Sequence, residues 1–390
     1  MRIVHFDTGQ ELRGGQHQLL LLARRLRERG HRQLIVCPDG SALVTRARSE
    51  GFKMFDLPAH EPMHAHGILQ LRQLLKSEGA DILHAHDGKG QTISWLASLG
   101  RNTRLRRVAS RRVTFSPSHA WTTRLKYGYT CDSVITVSEN IKRLLLSAGV
   151  PGCRLEVIPD GIEVPADLPA PEVRARMRAA WGFSEREFVA GHLGAFTPEK
   201  GQDIAVDAMA SLAGTLPQAR LVLAGHCSDP ANVFARKIRA QSGVAAGRVK
   251  LLGHIEDLAE FFVGLDVYVM PSRAEGLGSS ALMAMAHGLP VVASRVGGLV
   301  EIVEDGKTGW LVEPESSRLL AEALACAASD PARRSRFGFN ARNRAREFPV
   351  SLMVDRTEAL YHRLTGRSST SESKSTFHSG KSQDGLSMSC

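Results

Sequence analysis

Twice along this chain, short unbroken apolar runs alternate with helix-length amphipathic segments, a pattern that few folds accept. In the first half, "RIVHF" is followed by the polar, glycine-containing "DTGQELRGGQ" and then by a helix. Leu19, Leu22, Ala23 and Leu26 recur there at i, i+3, i+4 and i+7, and Arg24, Arg25 and Arg27 fall mostly off that stripe. "QLIVC", "FKMFDL", "DILHAH", "RVAS" and "SVITVS" continue the series, and "LEVIPDGIEV" closes it. The alternation restarts with "FVAGHL", "RLVLAGH", "VKLLGHI", "VYVMPS", "PVVAS" and "GWLVEP". Strands that are apolar throughout, rather than at every second residue, are buried on both faces, as in parallel sheets covered by helices. Two such series predict an α/β chain with two Rossmann-like, doubly wound parallel-sheet domains facing a central cleft.

The expected organisation is a first domain over residues 1–165, a linker with one short helix over 166–187, and a second domain over 188–348. A C-terminal helix over 349–366 is placed to pack back on the first domain. The serine-rich stretch 367–390 has almost nothing apolar and is expected to be disordered. A length of 390 residues suits two cores better than one. The opening "MRIVHFDTG" is too short in apolar run for a signal peptide, and no stretch is long and apolar enough to span a bilayer. The 6 cysteines are scattered without C-x-x-C spacing, which argues against a disulfide framework or zinc site and for a reducing cytoplasm.

The formal charge of +10 is unevenly spread. No acid lies between Asp87 and Asp132, whereas Lys89, Arg101, Arg104, Arg106, Arg107, Arg111, Arg112, Arg124 and Lys126 do. Such a block is either the solvated face of a basic protein or a site for an anionic partner, such as a glycan phosphate or a lipid headgroup. Arg111 and Arg112 are the candidates within it for contact with such a partner. Peripheral contact at the inner face of a membrane stays open, and nucleic acid is not the expected partner.

Ligands of open α/β sheets sit beyond the carboxyl ends of the strands, where turns and helix N-termini expose N–H groups. Four segments fall at such ends. In "ELRGGQHQ", Gly14 and Gly15 permit close backbone approach just before a helix, although a turn needing glycine accounts for them equally well. In "GHLGAFTPEKGQD", Lys200 precedes a helix and can place a point charge on a diphosphate. In "AEGLGSSALMAMAHGLPVVAS", Glu275 is an acceptor for hydroxyls, Gly276 and Gly278 leave amides bare, and Ser279 or Ser280 can cap the following helix. A hydroxyl-rich ligand carrying phosphate would use all three features. In "DILHAHDGKG", His84 and His86 point the same way from a strand end; no third metal ligand is visible at a suitable spacing. His86 reads as a polar group lining a cleft and His84 as a hydrogen-bonded structural histidine.

In this order, "RGGQHQLLLLARRLRERGH", "DILHAH", "SVITVSENIKRLLLSAGV", "LEVIPDGIEV", "TPEKGQDIAVDAM" and "VKLLGHIEDLAEFFVGLDVYVMPSRAEGLGSSALMAMAHGLPVVASRVGGLVEIVEDGKTGWLVEP" resemble the retaining glycosyltransferases of family four, which have the GT-B fold. The match runs from residue 1 to about 330, and its last run is the most specific. The resemblance implies a nucleoside-diphosphate sugar held mainly by the second domain, with the acceptor on the first. Lys200 would meet the diphosphate, Glu275 the sugar hydroxyls, and amides around Gly276, Leu277, Gly278 and Ser279 the same sugar. Gly14 and Gly15 would approach the phosphates, and His86 would flank the reacting sugar. No cofactor and no metal is expected, since Lys200 and helix N-termini can offset the diphosphate charge and no D-x-D motif lies near a strand end. The departing phosphate would take the acceptor's proton during attack from the same face, so no protein nucleophile is required.

Two departures qualify this. The family commonly has a basic residue where Ala195 stands, and a second acid, gripping the nucleotide ribose, where Met283 stands; an acid at the start of that helix would also cap it, so Met283 is expected to lose both functions. They motivate a competing reading of a non-catalytic homologue acting as a binding or scaffold partner. A GT-B sugar-nucleotide epimerase is a further alternative. A nicotinamide-dependent enzyme is disfavoured because no G-x-G-x-x-G opens the first helix.

Overall fold

The apolar runs pair into two all-parallel sheets in the computed structural model, which describes residues 1–58, 65–100, 104–114, 120–225, 232–245, 247–255 and 257–367. The first sheet contains β1 (Arg2–Phe6), β2 (Arg32–Pro38), β3 (Met54–Leu57), β4 (Ile82–Ala85), β5 (Arg106–Arg111), β6 (Ser133–Thr136) and β7 (Leu155–Val157), in the order β3-β2-β1-β4-β5-β6-β7. The second contains β8 (Phe188–Leu193), β9 (Ala219–Ala224), β10 (Val249–Gly253), β11 (Val267–Met270), β12 (Val291–Ser294) and β13 (Gly309–Val312), in the order β10-β9-β8-β11-β12-β13. The central strands are buried along their whole length, which is why their sequences lack a period of two.

Each sheet reverses its winding once, between β1 and β4 in the first and between β8 and β11 in the second. At such reversals the loops after the two adjacent strands diverge and leave a crevice. The four segments singled out above follow β1, β4, β8 and β11.

The stretch read as a linker, 166–187, contains the helix Pro171–Trp181, which lies against the helix Leu258–Val263 of the second sheet's layer. Arg178 anchors it: its guanidinium is buried, pairs with Asp266 at 2.6 Å and donates to the carbonyls of Gly264, Glu185 and Glu187. After the helix Pro331–Ala345 the chain returns to the first sheet. Ile162 donates its N–H to the Phe348 carbonyl and accepts the Val350 N–H, and the helix Val350–Thr365 packs on the helix Gly14–Glu28. Val350, Met353, Val354, Leu360 and Tyr361 thereby share a core with Ile3, Leu22, Leu26 and Ile82. Arg367, at the head of the stretch expected to be disordered, is held by Asp81 at 2.9 Å; the rest of that stretch lies outside the described residues.

The two domains touch beside the crevices. Glu301 in the second accepts the N–H groups of Glu139 and Asn140, at 3.0 and 2.8 Å, and so caps a helix of the first. Asp160 accepts from Arg112 Nε at 3.0 Å and from Ser279 Oγ at 2.8 Å, linking three segments across the boundary.

Candidate active site

Lys200 and Glu275 arrive from different loops of the second domain and meet: Nζ to Oε2 is 2.6 Å. Lys200 ends the single turn Pro198–Lys200, and Gly201 follows in the left-handed region at φ 68°. A Cβ there would stand 2.0 Å from the Pro271 carbonyl oxygen, so glycine lets the two switch-point loops pass at backbone distance. Gln202 fixes the same loop by donating to the Ala195 carbonyl at 2.8 Å.

The turn holding Glu275 is itself cradled. The Glu275 carbonyl accepts the Gly298 N–H at 3.1 Å, and a Cβ on Gly297 would come within 1.9 Å of that carbonyl oxygen. A Cβ on Gly276 would lie 2.0 Å from the Arg112 carbonyl oxygen, so glycine at 276 is required by the contact between domains. Leu277 is buried in the core, which fixes the turn from below.

The capping expectation fails. The helix Ser279–Ala286 begins after Gly278 at φ 101°, with no side-chain cap. Ser279 Oγ is drawn instead to Asp160, and Ser280 Oγ turns toward Met270. Met283 is thus the fifth helical residue, too far along for an acid there to cap the helix, so its only shortfall concerns the ligand.

On the first domain, the helix Gly14–Glu28 starts at the glycine pair, and a Cβ on Gly15 would meet Arg112 Cδ at 3.7 Å. Arg112 Nε is engaged by Asp160, while its Nη1 is buried without a partner among the described residues. Arg111 diverges, donating to Tyr127 Oη at 3.0 Å. Asp7, at the end of β1, is buried and accepts from Gln16 Nε2 and the Gly9 N–H, each at 2.8 Å. Burial, reinforced by the nearby Asp87 carboxylate, pushes its carboxyl up to about 6 from an ordinary 3.8. A carboxyl that holds its proton more tightly when folded stabilises the fold below its unfolded pKa, and that contribution is lost as pH rises through the folded value. Asp7→Asn is therefore expected to raise Tm at pH 8, by the equivalent of about 2 kcal/mol, and to change little near pH 4. Thermal melts at the two pH values check this.

His84 and His86 do lie together, with ring centroids 4.0 Å apart, and β1 supplies the third histidine that the sequence did not reveal. His5 is the register partner of His84, and its Nδ1 is 3.0 Å from His86 Nε2. The hydrogen bonds assign the tautomers. Gln33 Nε2 donates to the Ala23 carbonyl at 2.7 Å, so its Oε1 accepts from His5 Nε2 at 3.0 Å. His5 Nδ1 is then bare and accepts from His86 Nε2–H, which leaves His86 Nδ1 a bare, buried acceptor without a partner among the described residues. His84 is spoken for by Tyr361 Oη at 2.6 Å and Ser110 Oγ at 2.8 Å. Burial holds His86 and His84 well below the ordinary imidazole range, with neighbouring charge from the other histidines and Arg112 adding to it. Nitrogen chemical shifts near pH 6 are expected to show His5 and His86 neutral and protonated on Nε2; a charged ring or the opposite tautomer refutes this assignment.

Two family models match the chain in tandem, Glycosyltransferase Family 4 over residues 12–164 and Glycosyl transferases group 1 over residues 173–344. A GDP-mannose-dependent alpha-(1-6)-phosphatidylinositol monomannoside mannosyltransferase of Mycolicibacterium smegmatis is 31% identical over 271 residues, 66% of this chain and 70% of that one. The chain belongs to the family-4 glycosyltransferases. A lipopolysaccharide core biosynthesis mannosyltransferase of Rhizobium leguminosarum is 34% identical over 214 residues, 54% of this chain and 60% of that one. The fold of this glycosyltransferase matches that of Anabaena HepE in complex with UDP and glucose, with a TM-score of 0.84, 23% identity and 93% and 100% of the two chains covered. It also matches sucrose-phosphate synthase of Thermosynechococcus elongatus, with a TM-score of 0.78, 22% identity and 94% and 99% covered. The architecture is GT-B, as the alternation of strands and helices predicts.

Asp7, Gln33, His5, Asp160 and Glu301 are the site and interface residues that sequence reasoning missed. Only Asp7, at the end of an apolar strand and next to a polar loop, carried a local signal. No helix among the described residues is long and apolar enough to cross a membrane.

Proposed function

We propose that this glycosyltransferase moves a hexose-type sugar, with retention of configuration, from a nucleoside diphosphate to an anionic glycan or lipid-linked acceptor of the cell envelope. The observation that carries the proposal is the meeting of Lys200 and Glu275 at 2.6 Å on the switch-point loops of one domain. A cation suited to a diphosphate and an anion suited to sugar hydroxyls stand where one sugar nucleotide spans both. With a donor bound, Lys200 trades its carboxylate for phosphate oxygens and Glu275 becomes free to accept from hydroxyls.

Across the cleft, His86 Nδ1 is the acceptor the first domain offers to the reacting sugar, and Arg112 Nη1 is a donor without a partner. Arg112 rather than Arg111 is the acceptor-side residue in this account. Transfer then rests on placement and on stabilising the phosphate charge as it leaves, with the acceptor proton passing to that phosphate. The mannosyltransferases among its relatives act on phosphatidylinositol mannoside and in lipopolysaccharide core synthesis by name, which supports an envelope acceptor. No metal or other cofactor enters this reading, and the reaction takes place on the cytoplasmic side.

The test is release of nucleoside diphosphate from a panel of sugar nucleotides in the presence of envelope extracts, with the anomeric proton of the product read by NMR. Release by the wild type and its loss in Glu275→Gln support the proposal; silence across the panel, or an inverted product, sinks it. Ala195 and Met283 favour the non-catalytic reading, which predicts donor binding without turnover in the same assay.

A further inference from the structure

Large apolar side chains exposed to water are scattered singly on most of the described surface, but three gather on one short helix. In Ala120–Gly128 and the residue after it, Trp121 is 68% exposed, Leu125 50% and Tyr129 58%. The Tyr129 N–H still bonds to the Leu125 carbonyl at 3.2 Å, so the helical path continues through it. Spaced by four residues, the three side chains fall within an arc of roughly 80°. The opposite face, Thr123 and Tyr127, is the one that packs inward. The fold therefore does not need the outer stripe, and a stripe with two aromatics among three residues is costly to leave in water.

Basic side chains accompany it. Arg124 is exposed on the same helix, and Arg143 is exposed on the adjoining helix Glu139–Ser147, which also carries Leu146, 42% exposed. No acid occurs from residue 88 to 131, and Asp132, which ends that run, is occupied by Arg107. Trp and Tyr beside basic side chains, on a helix lying flat against its own domain, are the composition of a surface that sits at the level of lipid headgroups. A protein partner would require acids opposite the arginines and a matched apolar pocket; a bilayer supplies both features without a shape.

We infer that Trp121, Leu125 and Tyr129, flanked by Arg124 and Arg143, form a docking face for the surface of an anionic lipid bilayer. The inner face of the helix that carries it is tied to the cleft. The helix follows β5, whose last residue, Arg111, bonds to Tyr127 Oη, and Arg112 beside it reaches the Gly276 turn. A membrane so docked would present a lipid-linked acceptor to the crevice. The purpose rests on the proposed acceptor; the docking does not.

Flotation of the full chain with phosphatidylcholine vesicles, with and without phosphatidylglycerol, tests the face. Binding is expected to need the anionic lipid, to weaken with salt, and to fall roughly tenfold or more in Trp121→Ser/Leu125→Ser. Quenching of Trp121 fluorescence by lipids brominated along the acyl chain provides a readout on the unmodified protein; Trp121→Phe should bind and lose that quenching. Failure to bind, equal binding to neutral vesicles, unchanged binding by the double variant, or self-association through this face would each overturn the inference. Turnover of a water-soluble acceptor fragment should be unaffected by the double variant. Vesicle binding without any transferase activity would leave the docking face standing and count against the proposed reaction alone.

Discussion

Glu275→Gln is expected to lower turnover by about a hundredfold or more while shifting Tm only slightly. The side chain keeps its volume, and the buried Leu277 still anchors the turn, so the turn has no reason to move. What changes is charge. The ion pair with Lys200 is partly open to water, with 27% and 11% of the two side chains exposed, and such pairs contribute on the order of 1 kcal/mol or less. In the donor complex the carboxylate would accept from sugar hydroxyls inside a closed cleft, where a misplaced or missing charge-assisted acceptor costs about 2.7–4 kcal/mol of barrier. Lys200→Met should instead act mainly on donor binding, weakening nucleoside diphosphate affinity by roughly tenfold or more.

The pair also predicts how the two losses combine. In the free protein each side chain neutralises the other, so their stability effects are coupled. With the donor bound they face different groups, so their effects on binding should be nearly additive. Thermal melts and calorimetric titration of the two single variants and the double variant measure both cycles. Wild-type turnover in Glu275→Gln would remove this residue from the reaction.

The strand and helix pattern was legible because strands buried on both faces cannot hide their composition, and the helix of Leu19, Leu22, Ala23 and Leu26 buries that stripe. Lys200 and Glu275 were legible because each sits in a loop at a strand's carboxyl end, where topology puts ligands. The rest depends on pairs distant in sequence. Asp160 has meaning only through Arg112 and Ser279, and Glu301 only through the helix it caps in the other domain. His5 becomes a neighbour of His84 through strand register alone. Ser279 misled because a serine before a helix is usually its cap; an acid 119 residues away in sequence competed for its hydroxyl and won. Gly276 misled in a milder way, since it is needed for backbone to pass backbone, whatever the ligand.

Met283→Glu should bind the nucleoside diphosphate ten- to hundredfold more tightly than the wild type. The family's second acid falls at this position, and a carboxylate accepting from two ribose hydroxyls is worth about 1.5–3 kcal/mol. A cost accompanies it. Met283 is half-buried against the core beside Leu282 and Met285, and its carbonyl already accepts from His287 Nδ1 at 2.8 Å. A carboxylate there gives up apolar contact and is partly desolvated, which should lower the Tm of the ligand-free protein by the equivalent of about 1 kcal/mol. Ligand must therefore raise Tm more steeply in the variant than in the wild type, since stabilisation grows with the ratio of ligand concentration to Kd. A nucleotide lacking both ribose hydroxyls separates the sugar contact from any general change in the pocket: the gain should vanish with it. An equal gain with that nucleotide, or no gain with the natural one, would mean that position 283 faces something other than ribose, and that the weak point of the donor site lies at Ala195.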